Sequence, residues 1–355
     1  MITVGVDAHK RVHVALALDE FGRETSTWKG TNSKRGWDSF QSWLQRLGEE
    51  RRVGIEGAWG YGRGLAQHLV TAGEVVYEVN ARWTAAGRRS ARKSDKTDRL
   101  DAYAVALYVH RDGDQLSAIA AEDETAVLDL LATEREAAVG EATRLRNQIH
   151  ALLLQLDPEY QSTLPAMKSK SGLAILLSYE TPSETPIDQA RAAAVRRLAQ
   201  RLALALSQAA ELSDELRVLA APRFTPLTQL CGVNLLTAGV LAGILGPGHR
   251  FKSDAALAAY AGASPLEASS AGRVRHRLNR GGNRRLNAIL YRIALTQAHF
   301  SPAARAYLDR RVSEGKTRRE ATRALKRFLV RAIWQLWNEC YPTETSAEAP
   351  VQAHA

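Results

Sequence analysis

Apolar positions alternate with polar or small ones at Ile2, Val4 and Val6, and again from His13 to Leu18. That period of two predicts a pair of β-strands joined by a short turn. Glu20-Phe21-Gly22-Arg23 then reads as a hairpin loop. Over 33–47 the period changes: Trp37, Phe40, Trp43, Leu44 and Leu47 recur at helical spacing. Arg51–Gly57 predicts a strand, Gly64–Ala72 a helix and Glu74–Val79 another strand. Strands first, then helix and strand in alternation, predict an α/β domain with a mixed sheet. From Thr97 onward the pattern is helical.

Between 122 and 156, Ala138, Ala142, Leu145, Ile149, Leu152 and Leu156 recur in steps of four and three, a short heptad seam. Such a seam serves either the core of a helical bundle or a coiled-coil contact between two chains. Pro158, Pro182 and Pro186 interrupt the next stretch of chain, and a second amphipathic helix is predicted over about 188–219. Pro222 and Pro226 mark a boundary, beyond which 226–340 is helical, rich in small residues and basic. The tail from Pro342 is polar and proline-spaced, a composition expected to stay disordered.

A chain of 355 residues can hold two domains and a connector. Its composition, 45% hydrophobic and 24% charged, is that of a soluble protein. The formal charge of +10 favours a polyanionic partner. Two cysteines, Cys231 and Cys340, are too few for a disulfide scaffold or a cysteine zinc site. With no signal segment and no membrane-length apolar run, a cytoplasmic protein is expected.

Asp7 follows Gly5-Val6 and Glu56 follows Gly54-Ile55. In both strands the apolar residues take one parity and the carboxylate the other, so both carboxylates are expected on a non-core face, with the glycines leaving room beside them. If the strands are neighbours, Asp7 and Glu56 meet. Lys96-Thr97-Asp98-Arg99-Leu100-Asp101-Ala102 opens a helix, and its two aspartates share one face. Asp95 continues the three-residue spacing and is a competing ligand. Two carboxylates at about 4 Å repel by roughly 4 kcal/mol at an effective dielectric near 20. Hard divalent cations remove that cost and can clamp the oxygens of a phosphodiester displacement. Magnesium is the natural choice, with manganese as its substitute.

Two further segments carry candidate chemistry. Leu230-Cys231-Gly232-Val233-Asn234 precedes the apolar run Leu235–Leu245 and reads as a tight helical hairpin. Its turn could offer backbone N–H groups to a phosphate, with Gly232 and Asn234 tolerating left-handed geometry, or could be a plain connection. Gly262–Gly272 is small and flexible, and it runs into Arg273, Arg275, His276, Arg277, Arg280, Arg284 and Arg285 with no acidic residue between. That is either a solvated basic face or a nucleic-acid-binding surface where a serine, Ser269 or Ser270, approaches a phosphate gripped by arginine.

These motifs, in this order, resemble the transposases of the insertion-sequence 110 family, including its 1111-type branch. Gly5-Val6-Asp7, Ile55-Glu56 and Lys96–Ala102 resemble its amino-terminal domain, a RuvC-like fold built on a ribonuclease H-type sheet. Phe251-Lys252-Ser253, Ala259–Gly262, Pro265, Ser269-Ser270 and Arg280–Arg284 resemble its carboxy-terminal transposase domain. The resemblance implies metal ligation by Asp7, Glu56, Asp98 and Asp101, and attack by a serine. The family places that serine five residues past the proline, which selects Ser270. It also implies a bridge RNA that pairs with donor and target DNA, and dimers that assemble into a synaptic tetramer on the nucleoid. The implied division is a RuvC-like domain over 1–115, a helical or coiled-coil connector over 116–222, a serine-bearing transposase domain over 223–341 and the tail 342–355.

This chain departs from the family at three places. Cys231–Asn234 replaces a Pro-Gly-Ile-Gly hairpin. Gly57-Ala58-Trp59 follows Glu56 where threonine or serine and then glycine is usual. Ala271 separates the serine pair from Gly272. Three rival functions remain. A junction-resolving nuclease would use water as nucleophile. An actin-like sugar kinase shares the opening Gly-x-Asp strand but needs a later glycine-rich adenosine strand that this chain lacks. A nucleic-acid scaffold would not cleave.

Overall fold

The computed structural model describes residues 1–79, 97–116, 118–248, 250–264, 266–267, 276–277 and 282–341. Asp95, Ser269, Ser270, Arg273, Arg275, Arg280 and the tail from 342 lie outside the described residues. The chain forms two compact units: Met1–Asp123 with Pro247–Lys252, and Glu124–Gly246 with Ser253–Ala355.

The first unit is built on a five-stranded mixed sheet in the order β3-β2-β1-β4-β5. Strands β1 (Ile2–Ala8), β2 (Val12–Leu18) and β3 (Glu24–Thr31) are antiparallel neighbours. Strand β4 (Arg51–Glu56) runs parallel to β1, and β5 (Val76–Val79) runs parallel to β4. The sequence pattern showed the hairpin loop but not β3, because this edge strand is mostly polar and only half-covered. On one sheet face α1 (Lys34–Gln45) and α2 (Arg63–Thr71) bury Phe40, Leu44, Leu65 and Leu69 against Val4, Val6, Val53 and Ile55.

Helix α3 (Asp98–Asp112) covers the opposite face, so the expectation of a non-core carboxylate face is corrected. Leu16 and Leu18 pack there against Ala102 and Ala106, and Val79 packs against Val105 and Val109. The glycines do not leave space for ligands; they admit the helix. A Cβ on Gly5 would lie 2.2 Å from the Ala102 carbonyl oxygen and the Ala106 nitrogen, and one on Gly54 would lie 2.4 Å from a Val109 methyl. Gly5→Ala should therefore lower stability by about 3 kcal/mol, because backbone rather than a yielding side chain blocks the methyl. Thermal melting checks this, and a variant that melts with the wild type would disprove so close an approach.

Segment 247–252 returns from far along the sequence to the first unit. The Arg250 guanidinium sits 5.4 Å from the Trp59 ring centroid and 5.2 Å from that of Phe251. It also lies 3.7 Å from Glu78, whose carboxylate accepts Trp59 Nε1–H at 2.9 Å. Lys252 Nζ donates to the Asp114 carbonyl at 2.8 Å. Burial raises the Glu78 carboxyl above its usual value, and Arg250 and Trp59 oppose the rise. A raised folded value means stability is lost as pH climbs through it, and Arg250→Ala enlarges that loss. The variant should melt near wild type at about pH 4 and lower by about 1 kcal/mol at about pH 7, a modest figure because Glu78 is partly solvated. An equal penalty at both pH values would overturn the pairing.

In the second unit α4 (Glu124–Leu156) and α7 (Pro186–Phe224) form an antiparallel hairpin. The pairs Glu124–Arg223, Arg135–Ser213 and Glu141–Arg201 trace its register. Ala142, Leu145 and Ile149 of the heptad seam are buried against Val195, Ala199 and Leu202. The seam is thus filled by the chain's own α7, and the bundle-core alternative accounts for it. Helices α5 (Tyr160–Thr163) and α6 (Lys170–Leu177) close one end through Tyr160, Met167 and Leu176. Pro222 does not end α7, which runs on to Phe224, although proline lacks the N–H that would bond the carbonyl four residues back. The remaining helices are α8 (Leu235–Leu245), α9 (Asp254–Tyr260), α10 (Arg284–Phe300), α11 (Pro302–Ser313) and α12 (Arg318–Cys340). Strands β6 (Leu266–Glu267) and β7 (His276–Arg277) pair antiparallel. Among the described residues no helix is long and apolar enough to cross a membrane.

Candidate active site

Strand register brings the first two carboxylates together: Asp7 and Glu56 are direct partners across the parallel β1–β4 pair. Helix α3 supplies the others. Thr97 caps it, its hydroxyl accepting Leu100 N–H at 3.3 Å, which fixes where the first turn begins. Asp98 and Asp101 occupy that turn, where the helix dipole favours negative charge. Asp7 and Asp101 are buried, Glu56 is half-buried and Asp98 is exposed. Asp7 is close enough to Asp98 and Asp101 to feel both charges.

His9 joins this group, and sequence reasoning missed it. Its Nε2 lies 3.0 Å from Asp7 Oδ2 and 3.5 Å from Asp98 Oδ1. One ligand atom from each of Asp7, His9 and Asp98 lies within 4.8 Å of the others. The signal was available: residue 9 has the parity of residue 7 on leaving β1. Burial pushes the Asp7 carboxyl above its usual value; His9 pulls it down, and Asp101 and Asp98 add to the rise. Despite His9, the buried Asp7 Oδ2 receives no aligned hydrogen bond. An orphaned carboxylate oxygen beside further carboxylates fits a divalent cation, which would remove both the desolvation and the repulsion.

The basic motif is organised by its flanks. A Cβ on Gly282 would lie 2.2 Å from Gly262 N, so only glycine lets these backbones touch. Asn283 caps α10, accepting Leu286 N–H at 3.0 Å, and donates to Tyr260 Oη at 2.8 Å. Asn287 donates to the Ala261 carbonyl and accepts from the buried Lys326. Ala259–Gly262 and Gly282–Arg284 thus come into direct contact. Arg284 is exposed, whereas Arg285 is turned inward onto Asp129 at 2.7 Å and Glu136 at 3.1 Å. Only the backbone of Arg277 is described.

The hairpin before α8 is a packed connection. Gly232 is left-handed, with φ 91°, but Asn234 is extended, with φ −106°. Asn234 acts as a cap: its side chain accepts Thr237 N–H at 2.9 Å, so that donor is already satisfied. The Cys231 carbonyl accepts from Gln297.

Two family models match the chain, a DEDD transposase model of IS110 elements over residues 4–158 and "Transposase IS116/IS110/IS902 family" over residues 225–309. It carries the transposase domains of the IS110 family. The insertion element IS110 43.6 kDa protein of Streptomyces coelicolor is 28% identical, over 73% of this chain and 75% of that protein. The insertion element IS900 42 kDa protein of Mycobacterium paratuberculosis is 24% identical over 98% of this chain and 99% of its own. The transposase for insertion sequence element IS1328 of Yersinia enterocolitica is 27% identical over 59% of each chain. A solved structure of T. thermophilus RuvC in complex with Holliday junction substrate covers 34% of this chain and 99% of that chain, at 13% identity and a TM-score of 0.28. The first domain match takes in all four carboxylates and His9, and the second takes in Ser270 and the arginines of the basic motif.

Proposed function

We propose that this transposase cleaves and rejoins DNA strands with a carboxylate-held divalent cation and a serine nucleophile, directed by a bridge RNA. The observation that carries the reading is the convergence of Asp7, Glu56 and the α3 aspartates from three separate segments. The sheet reads as RuvC-like, which its strand order supports: three antiparallel strands followed by two parallel ones. Asp7, Glu56, Asp98 and Asp101 would hold the cation, magnesium or manganese, on hard oxygen donors. When bound, the cation supplies positive charge to the scissile phosphodiester.

Buried Asp7 and Asp101 give the site a fixed floor, while exposed Asp98 and His9 form its solvent side. Ser270 Oγ attacks phosphorus and makes a phosphoserine bond; the bridging P–O bond breaks and the departing strand end takes up a proton. Clustered arginines, Arg273, Arg275, Arg277, Arg280 and Arg284, grip the phosphates around it. Arg285 is less suited to that role, being engaged with Asp129 and Glu136.

The RNA partner rests on the resemblance and on a net charge of +10 that favours a polyanion. Donor and target DNA would be read by base pairing, with the protein holding backbone and shape. Dimers assembling to a tetramer would meet on surfaces other than the seam that α7 fills. The test is cleavage of DNA bearing the element's ends. Magnesium should support it, chelator should stop it and ribonuclease treatment of the purified protein should abolish it. Undiminished recombination after complete RNA removal would overturn the guide, and equal cleavage in chelator would overturn the metal site.

A further inference from the structure

Arg135 lies in the middle of α4, half-buried, far in sequence from the basic motif. Its Nε donates to Ser213 Oγ on α7 at 2.6 Å. Ser213 is buried and donates its own O–H to the Ala209 carbonyl, so it offers the guanidinium an oxygen and no charge. Arg217 stands one turn further along α7 on the face of Ser213. Helix α10 approaches from the third side, pinned to α4 by Arg285 on Asp129 and Glu136, and two turns beyond Arg285 it presents Arg292.

The nearby carboxylates are already committed. Asp214 is held by Arg217, and Asp129 and Glu136 are held by Arg285. Among the described residues no carboxylate pairs with Arg135 or Arg292. Burial first, and then the charges of Arg217 and Arg292, lower the Arg135 guanidinium below its usual value; Glu136 opposes them. Keeping a partly desolvated charge beside two of its own sign, with no carboxylate bonded to it, is unfavourable. Planar guanidiniums with free donors match phosphate oxygens in charge and geometry.

We propose that Arg135, Arg217 and Arg292 form a phosphodiester-binding site on the helical unit, built from residues that belong neither to the carboxylate centre nor to the basic motif. The proposal rests on the reading of the chain as a nucleic-acid enzyme. Its site holds one backbone phosphate of DNA or of RNA, positioning the strand without reading its sequence.

Binding of full-length protein to a labelled DNA duplex and to a labelled RNA hairpin, in chelator and over a series of salt concentrations, tests it without any cleavage. Arg135→Gln should weaken binding about tenfold and reduce the salt slope by about one, as loss of one phosphate contact does. Arg144→Gln, at an exposed position of the same helix, removes an equal charge and should change neither. Loss on the duplex alone assigns the phosphate to DNA, and loss on the hairpin alone assigns it to RNA. Inorganic phosphate should raise the melting temperature of the wild type and less so that of Arg135→Gln, which should itself melt no lower than wild type. Equal binding by Arg135→Gln and wild type overturns the site, as does an equal defect in Arg144→Gln. If the wild type binds neither probe, the nucleic-acid reading itself fails.

Discussion

Replacing Asp7 with asparagine should reduce magnesium-dependent DNA cleavage at least about a thousand-fold, some 4 kcal/mol of transition-state stabilisation. The same change should not weaken the metal-free fold. Asp7 is buried, its Oδ2 lacks an aligned hydrogen bond, and Asp98 and Asp101 repel it. Because burial raises its folded pKa, the metal-free protein loses stability as pH rises through that value, and the neutral amide escapes the loss. Magnesium should raise the melting temperature of the wild type and leave that of Asp7→Asn unchanged. Asp101→Ala, which also removes a buried charge at this cluster, should likewise lose cleavage and the magnesium-induced rise in melting temperature. Normal cleavage by either variant would remove the carboxylates from the chemistry, whereas lost cleavage with a collapsed fold would make Asp7 structural.

Ser270→Ala should eliminate a covalent protein–DNA adduct on a denaturing gel and lower strand cleavage by about a thousand-fold or more. Serine is a weak nucleophile at its free pKa and needs charge on the phosphate and around it. Ser269→Ala should keep the adduct. The reverse pattern would move the nucleophile to Ser269. Cleavage that persists at full rate in both variants, with no adduct in the wild type, would favour attack by water and the junction-nuclease alternative.

How far the sequence could be read depended on what each residue answers to. Parity along β1 and β4 and the three-residue step from Asp98 to Asp101 are local periodicities; they paired Asp7 with Glu56 and Asp98 with Asp101, while the joining of the two pairs came only from the family resemblance. The role of Gly5 and Gly54 is not local, since it depends on Ala102, Ala106 and Val109 of a helix far along the chain lying against the sheet. The same blindness turned a core face into an expected open one. Strand β3 escaped because an edge strand buries little and needs little apolar sequence. The heptad seam showed that a helix would be covered, but not that α7 rather than a second chain would cover it. Asn234 misled through its tolerance of left-handed backbone, when its side-chain oxygen was what the helix start used. His9 went unnoticed because it lies just past the end of β1, so the parity it shares with Asp7 was not carried beyond the strand.

The strap at 247–252 bears on how such proteins can be recombined in the laboratory. The backbone passes between the two units at three points rather than one. A hybrid gene taking residues 1–123 from this chain and the remainder from a relative would set a foreign strap against Trp59 and Glu78. Its carboxylate unit would lack Arg250 and leave Glu78 without that cation. Viable hybrids should therefore be those that transplant 247–252 along with the first unit, making two exchanges where an outline by domains suggests one.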